Sequence, residues 1–355
     1  MNLPPLHMDD LELLHQFTTE TCFTLSDRSE SHALWQVTVP QVAFKQPFLM
    51  RGILAVSSLH LSFLRPERHD YYNQLANRNQ DAALSTFRSL MTNMDPTNCD
   101  AFLAMSTLVV VYAFESPKSF QSLGFSHHTG EHSYEWLPLI KGVYTIIMSN
   151  YQWIKNGKLS ALLHDQVSGP PTTKLPALLD NQLNELDTLC EQASGGDEVV
   201  QVYKGALRSL RECFVRMNNR TIDECEVSIA FLWPVLVPQE FVDNMHAGEP
   251  IALIILAHYC VILHHLDSYW WMNGWATYIV RKIDRELDDN MRPWLQWATK
   301  IVDVNEKILT NGSPQIIMQR ARLSNDFGSD IDQSLSISNE DLKMVDPASA
   351  KSDQL

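Results

Sequence analysis

The sequence predicts an all-α fold. Almost every apolar pattern along its 355 residues has helical period, and no stretch shows the apolar–polar alternation that a half-buried strand needs. Apolar residues make up 45% of the chain and charged residues 19%, which is enough to bury a sizeable core. With only 13 glycines, the chain has little material for a turn-dense β fold or for phosphate-binding loops.

The first half of the chain has the patterns of four helices: one from Asp9-Asp10 to Leu25, one from Pro47 to Arg65-Pro66, one over about 67–92 and one over about 98–114. Asp9 can cap the first of them. Pro47 suits the first turn of the second, because a helix needs no N–H there. Residues 115–133 are predicted to form a long loop.

The second half has eight further helical patterns, over about 136–148, 151–163, 175–193, 198–217, 221–232, 249–271, 275–288 and 291–309. The Gly- and Pro-containing stretch within 165–174 is either a hinge or a long surface connection. We therefore predict one all-helical domain over residues 8–310.

A change of composition predicts a disordered acidic tail over residues 311–355. From Ser324 to Leu355 the chain has seven acidic residues against two lysines, and many serines. Such a segment cannot bury enough apolar area to offset the entropy lost on ordering.

Charge and cysteine spacing exclude several functions for this chain. The net charge is −15 and the longest basic run is Arg281-Lys282, so direct contact with nucleic acid is not expected. The closest two of the six cysteines lie twelve positions apart, which is not the spacing of a zinc site. No signal peptide and no uninterrupted apolar run of 18 residues is present, so we expect a protein without a membrane span, in a reducing compartment.

No catalytic residue, metal site or cofactor is predicted. His127, His128 and His132 are the only histidine cluster, and a metal site there would need Glu131 or Glu135 as a further ligand. A solvated loop is the interpretation that we prefer for this cluster. The Walker and dinucleotide-binding motifs are both missing from the sequence.

Residues 249–275 contain the candidate ligand site. Pro250 opens a helix that is apolar nearly all round, and tryptophans crowd its end at a glycine break. An apolar cavity with a few polar groups is typical of small-molecule sites. The candidate ligand-binding residues are Trp233, His258, Tyr259, Trp270, Trp271, Gly274 and Trp275. A tightly packed core helix is the alternative, and composition alone favours it.

The same region carries a family resemblance. The 249–275 stretch resembles the most recognisable block in the regulatory domain of fungal binuclear-zinc-cluster transcription factors, and it is most similar to the sterol uptake control protein group. Other segments agree with that family in order: Leu11 to Leu25, Trp35-Gln36-Val37-Thr38-Val39-Pro40, the helix Pro47 to Leu61, and Phe231-Leu232-Trp233-Pro234 with Pro238 and Phe241. The resemblance covers roughly residues 8–300.

The resemblance implies an all-helical regulatory domain that self-associates and has a hydrophobic ligand pocket in its C-terminal half. In sterol-sensing members, the occupied pocket controls nuclear entry and transcriptional activation. We therefore expect a nuclear regulator of RNA polymerase II transcription, held in the cytoplasm until it is activated, acting on sterol or secondary-metabolite genes. Its expected partners are a lipophilic small molecule of sterol or terpenoid type, and either a second copy or a DNA-binding transcription factor.

The family's DNA-binding module, with its six closely spaced cysteines, has no counterpart in this sequence. Either an upstream exon belongs to the gene, or the chain is a paralogue that needs a DNA-binding partner. The alternative function is a helical small-molecule binding protein or enzyme without a role in transcription. The acidic tail favours the regulator, because activation segments are acidic and apolar. An acid–base pair beside the tryptophans would favour the alternative, and the sequence shows no clear pair.

Overall fold

The computed structural model describes residues 7–115, 136–163, 175–193, 196–219 and 226–309, and within these ranges every regular element is a helix. The predicted all-α fold is confirmed. The α-helices of these ranges, numbered in chain order, are α1 Met8–Thr19, α2 Ser29–Ala33, α3 Val39–Ala43, α4 Pro47–Leu64, α5 His69–Leu90, α6 Cys99–Glu115, α7 Trp136–Ser149, α8 Tyr151–Lys155, α9 Ala177–Cys190, α10 Asp197–Asn218, α11 Glu226–Ala230, α12 Leu232–Leu236, α13 Gln239–His246, α14 Pro250–His264, α15 Trp275–Glu286 and α16 Gln296–Leu309.

Helix α4 is the centre of the first half. Residues 52–62 are buried without a break, and the helix packs against α1, α5 and α6. Its Ser57 and Ser58 hydroxyls donate to the carbonyls of Ile53 and Leu54, at 2.9 and 2.8 Å. Because these polar groups bond to their own helix, they can lie inside an apolar core.

Helix α14 is the centre of the second half. Residues 251–264 are all buried, and the helix contacts α9, α10, α13, α15 and α16. One continuous cluster of buried apolar side chains extends from Phe17 to Val302 and includes residues from both central helices. The core is therefore shared by the two halves of the chain.

The predicted helix over 151–163 is wrong beyond Lys155. The chain turns at Gly157, because the carboxylate of Asp100 accepts the backbone N–H groups of Lys158 and Leu159 at 3.0 and 2.9 Å. A Cβ atom at position 157 would lie 2.3 Å from Oδ1 of Asp100, so the close approach needs glycine.

The predicted helix over 249–271 is too long. Helix α14 ends at His264, a 3₁₀ turn covers His265–Ser268, and the chain then bends towards Gly274. The side-chain amide of Asn273 donates to the carbonyl of Asp267 at 2.9 Å and stabilises this bend. Composition did not reveal the end of the helix, because apolar residues continue on both sides of it.

The first predicted helix is also too long, since α1 ends at Thr19 and a separate 3₁₀ turn covers Thr21–Thr24. Sequence patterns missed α13 and the short helices between residues 29 and 43, where Leu34–Thr38 form a π-helix. Several predictions lie outside the described residues: the loop after Glu115, the histidines at 127–132, the hinge at 165–174, the start of the 221–232 helix and the tail at 311–355.

In the part of the chain that the structure describes, two helical segments are long and apolar enough to cross a membrane by composition alone, Pro47–Leu64 and Pro250–Ser268. In the most apolar 18-residue stretch of each segment, 72% and 89% of the residues are buried inside the protein. That burial is the pattern of core helices, which pass the same composition test. Among the described residues, no group of three or more His, Cys, Asp or Glu side chains could hold a metal ion.

Candidate ligand-binding site

His258 lies on α14, and one of its two ring nitrogens bonds to the backbone of the same helix. Its Nδ1–H donates to the carbonyl of Ile254 at 2.8 Å, and its ring stacks on Trp297 with ring centres 5.3 Å apart. Burial lowers the pKa of His258 to about 4, against a smaller opposite effect of the bond to Ile254. The imidazole is therefore neutral at physiological pH.

Tyr259 lies between two tryptophans. Its ring centre is 4.4 Å from that of Trp233 and 5.9 Å from that of Trp136, and both pairs are stacked. Its hydroxyl donates to the carbonyl of Ala230 at 2.8 Å, and burial raises its pKa well above the ordinary value. The indole N–H of Trp233 donates to the carbonyl of Ala206 at 2.9 Å.

Trp271 and Trp275 meet at Phe114, the penultimate residue of α6. The ring of Trp275 contacts Phe114 edge to face at 5.1 Å, and its indole N–H donates to the Phe114 carbonyl. The ring of Trp271 lies 6.3 Å from Phe114 and 6.4 Å from Phe231. Phe114 also contacts Trp136 at 5.7 Å, which joins this group to Tyr259.

We name this set of seven rings the aromatic cluster; its members are Phe114, Trp136, Phe231, Trp233, Tyr259, Trp271 and Trp275. Four of the seven predicted ligand residues belong to it, and Gly274 adjoins Trp275. Sequence reasoning missed the part that Phe114 and Trp136 take. Phe114 lies in the last turn of α6 and Trp136 is the first residue of α7, so no local sequence pattern connects either of them with α14.

Two predicted residues lie outside the aromatic cluster. The indole N–H of Trp270 donates to the Thr24 hydroxyl at 2.9 Å, and its ring stacks on His60 at 4.8 Å. His258 faces Trp297 on α16 instead. Trp270 and Trp271 separate because they follow the end of α14, where successive side chains of a bent segment point in different directions.

Gly274 has a backbone role. It precedes α15 with φ +77°, a left-handed conformation that favours glycine. A Cβ atom added there meets nothing within 4 Å, so a small side chain at this position would enter open space beside the cluster.

Beside Phe114 the described residues include a carboxyl group with a shifted pKa. Glu115 follows Phe114 at the end of α6 and is partly buried. Burial raises its pKa to about 7. Glu115 thus changes charge near neutral pH, unlike His258 and Tyr259.

Two cavities among the described residues lie elsewhere. One of about 450 Å³ lies between α1 and the Leu34–Ala43 region, and one of about 390 Å³ lies between α9 and α10. The rings of the aromatic cluster pack on each other as core residues do. The ligand-binding role of the seven predicted residues stays a prediction.

Comparison with known proteins supports the resemblance. Residues 12–147 match the fungal specific transcription factor domain. The chain is 25% identical to a Zn(2)-C6 fungal-type transcription factor of Gibberella zeae, over 83% of this chain and 62% of that protein. It is 20% identical to sterol uptake control protein 2 of Saccharomyces cerevisiae, over 79% of this chain and 30% of that protein. It is 23% identical to sterol uptake control protein 2 of Candida albicans, over 76% of this chain and 39% of that protein.

The chain thus spans 30–62% of the length of these relatives. The predicted resemblance to fungal zinc-cluster transcription factors is confirmed, and so is its link to the sterol uptake control group. What the chain is similar to is the regulatory region of such factors.

Proposed function

We propose that this chain is a ligand-responsive regulatory region that controls RNA polymerase II transcription in a fungal nucleus. The observation that carries the proposal is the match of residues 12–147 to the fungal specific transcription factor domain. Similarity to a Zn(2)-C6 fungal-type transcription factor and to two sterol uptake control proteins, over 76–83% of the chain, supports it. The sterol or secondary-metabolite genes predicted above are the targets that fit these relatives.

A reporter assay tests the transcriptional part. The full chain, fused to a heterologous DNA-binding domain, should change reporter output in fungal cells when sterol supply changes. The control is the same fusion with Phe327, Ile331, Leu335 and Leu342 replaced by serine, which should remove activation if the acidic segment activates. A fusion that leaves the reporter at the level of the DNA-binding domain alone, with and without sterol, would contradict the proposal.

Contact with DNA should come from a partner, because the chain has a net charge of −15. Clustered Lys and Arg supply most of the affinity for phosphates. The chain should bind duplex DNA no more tightly than about 10⁻⁴ M at physiological salt, the weak end of non-specific binding. A sub-micromolar mobility shift of any duplex would contradict this. Zinc analysis of the same sample should find less than one ion per chain.

The ligand should be a lipophile of sterol or terpenoid type held at the aromatic cluster. Flat aromatic walls bury rigid apolar area, and the open space at Gly274 lies at the edge of the cluster. Burying about 300 Å² of such a molecule at roughly 25 cal/mol per Å² gives about 7 kcal/mol before ordering costs, so micromolar affinity is the expected limit. At one hundred times its dissociation constant the ligand should stabilise the chain by about 2.7 kcal/mol.

Thermal shift and tryptophan fluorescence against a sterol and terpenoid panel test the ligand. Trp271→Ala should remove the ligand response of a chain that is still folded. Leu178→Ala is the matched control, because Leu178 is exposed on α9 and is not a member of the aromatic cluster. If no lipophile shifts the wild-type chain, the aromatic cluster is only a core.

An enzymatic role is not proposed. One of the reported relatives is named a Zn(2)-C6 fungal-type transcription factor, and two are named sterol uptake control proteins. His258 and Tyr259, the titratable groups of the predicted site, both donate to backbone carbonyls. Burial moves both of their pKa values away from neutrality, so neither group is poised for proton transfer at pH 7.

A further inference from the structure

The tryptophans around α14 differ in what their indole N–H groups bond to. Trp233, Trp270 and Trp275 each donate to an oxygen atom of the protein. Trp136 and Trp271 have no such partner among the described residues, although each is only 1% exposed and its Nε1 atom is buried. Both of these rings contact Phe114, so the two unpaired donors belong to the same part of the aromatic cluster.

Unpaired donors at such depth call for an explanation, because folded proteins pair nearly all of their buried polar groups. An indole nitrogen only donates, so the missing partner is an acceptor. The hydroxyl of Tyr259 and the N–H of Trp275 donate to backbone carbonyls, and no acceptor among the described residues bonds to either unpaired indole nitrogen.

We infer that the indole N–H groups of Trp136 and Trp271 are the polar anchor of the ligand, and that this ligand is a lipophile with a carbonyl oxygen. A carbonyl oxygen has two lone pairs and no hydrogen of its own that would need an acceptor in the same place. The inference rests on the proposed function, because it names the chemical group by which the aromatic cluster selects its lipophile. It assigns the orienting role to indole N–H groups, because Nδ1 of His258 and the hydroxyl of Tyr259 already donate to backbone carbonyls.

The edge of the cluster offers a way in. Trp275 and Phe231 are half-buried, and the space at Gly274 adjoins Trp275. A ligand that enters here displaces rings at the surface of the cluster, while the Trp233–Tyr259 stack behind them stays in place. The carbonyl group of the ligand then lies deepest in the cluster, and the apolar body of the ligand covers Phe114.

Binding of a matched pair of steroids tests the inference. Cholestenone and the hydrocarbon cholestene differ in the carbonyl group, and tryptophan quenching measures both affinities on the full chain. Cholestenone should bind at least tenfold more tightly, a difference of about 1.4 kcal/mol. In Trp136→Phe and Trp271→Phe the ratio should fall to within threefold of one, while the affinity for cholestene changes by less than threefold.

Trp270→Phe is the matched control. It removes the same atoms from a buried ring outside the aromatic cluster, but its indole N–H already donates to the Thr24 hydroxyl. It should keep the preference for cholestenone, and without ligand it should lower the urea midpoint more than Trp271→Phe does, because only Trp270 loses a hydrogen bond.

The outcomes separate this inference from the proposed function. If cholestene binds as tightly as cholestenone, the carbonyl anchor is wrong while a lipophile site remains. If the alcohol cholesterol binds more tightly than cholestenone, the anchor does not select a carbonyl group. If none of the three binds, the lipophile proposal and the anchor both fail. An unchanged ratio in both Trp→Phe variants assigns the selectivity to other residues and overturns the inference.

Discussion

Helices α4 and α14 look alike in sequence and differ in what surrounds them. Both begin with proline in the first turn, both are buried almost all round, and each has a buried histidine that stacks on a tryptophan. In α4, Nδ1 of His60 bonds to the hydroxyl of Thr21 at 2.9 Å, a residue 39 positions away. In α14, His258 bonds to a carbonyl of its own helix.

The neighbours of the two helices explain the difference in their roles. Helix α4 packs on other helices mainly through aliphatic side chains and Phe48, with a close approach at Gly52, where an added Cβ atom would lie 2.5 Å from the sulfur of Met105. Helix α14 places Tyr259 into a cluster of large rings that come from several distant segments. A buried apolar helix is therefore not by itself a sign of a ligand site. Both regions leave buried polar atoms without a partner among the described residues: Nε2 of His60 in α4, and Nε1 of Trp136 and Trp271 beside α14. The α14 region differs because its two groups can only donate and lie on rings of one cluster.

The largest effect should come from truncating one aromatic side chain in each region. Phe48 packs on Phe87 and Phe102 beside α4, and Tyr259 packs between Trp136 and Trp233. Phe48→Ala and Tyr259→Ala should each lower the free energy of unfolding by about 3–5 kcal/mol, because each leaves a cavity in the core. Urea denaturation at pH 7 measures both.

Leu178→Ala, at an exposed position, should change the stability by less than about 0.5 kcal/mol. If Tyr259→Ala cost less than about 1 kcal/mol while Phe48→Ala had its full effect, the rings around α14 would not be packed as a core.

The second effect is the loss of stability in acid. Burial lowers the pKa of His60 to about 3 and that of His258 to about 4, from an ordinary value of 6.5. Because the unfolded chain binds these protons more readily, stability is complete above pH 6.5 and falls as the pH is lowered towards the folded pKa values. Between pH 7 and pH 5, each histidine should cost about 2 kcal/mol.

Replacing one histidine at a time separates the two regions. His60→Leu and His258→Leu should each reduce the difference in the free energy of unfolding between pH 7 and pH 5 by about 2 kcal/mol relative to the wild-type chain. Below pH 4 only His60 should cause a further loss of stability, because His258 is protonated in the folded chain below its pKa of about 4, whereas the pKa of His60 is about 3. A pH profile that is unchanged in either variant would show that the corresponding imidazole is not buried in its neutral form.

The sequence predicted the elements whose ends are set locally. Pro47 and Pro250 mark the starts of α4 and α14, and helical periodicity identified their apolar faces. The errors lie where distant residues decide. The turn at Gly157 depends on Asp100, and no pattern around residue 157 reveals that contact.

The candidate site was predictable to the same extent. Tyr259 and Trp271 are recognisable as large polar-tipped aromatic residues in an apolar stretch. Phe114 and Trp136 complete the cluster from other segments, and only the fold brings them together. Sequence reasoning also could not show which indole N–H groups find a partner, because that depends on the carbonyls opposite them.

Two glycines provide a third and smaller test of the comparison. A Cβ atom at Gly52 would lie 2.5 Å from the sulfur of Met105, whereas one at Gly274 meets open space but has φ +77°. Gly52→Ala should cost about 1–3 kcal/mol through overpacking, and Gly274→Ala about 1–2 kcal/mol through backbone strain.

Asparagine at each position distinguishes these causes, because it tolerates the left-handed conformation. Gly274→Asn should be less destabilising than Gly274→Ala, while Gly52→Asn should be worse than Gly52→Ala. Denaturant midpoints measure the four variants. The reverse order at position 274 would show that space, rather than backbone conformation, limits that position.

The smallest effect concerns one of the hydrogen bonds between the two regions. The indole N–H of Trp270, which follows α14, donates to the Thr24 hydroxyl at 2.9 Å, while the Trp270 ring stacks on His60 of α4. Thr24→Val should lower the free energy of unfolding by about 1 kcal/mol, because it leaves a largely buried donor without a partner. Thr19→Val is the matched control, since the Thr19 hydroxyl donates to a carbonyl in the preceding turn of its helix and lies exposed.

Combining Thr24→Val with Trp270→Phe isolates the hydrogen bond between Trp270 and Thr24, and we expect a coupling energy of about 1 kcal/mol between the two changes. If the two changes are additive, the contact between the regions depends on the stacking of Trp270 on His60 and not on the hydrogen bond.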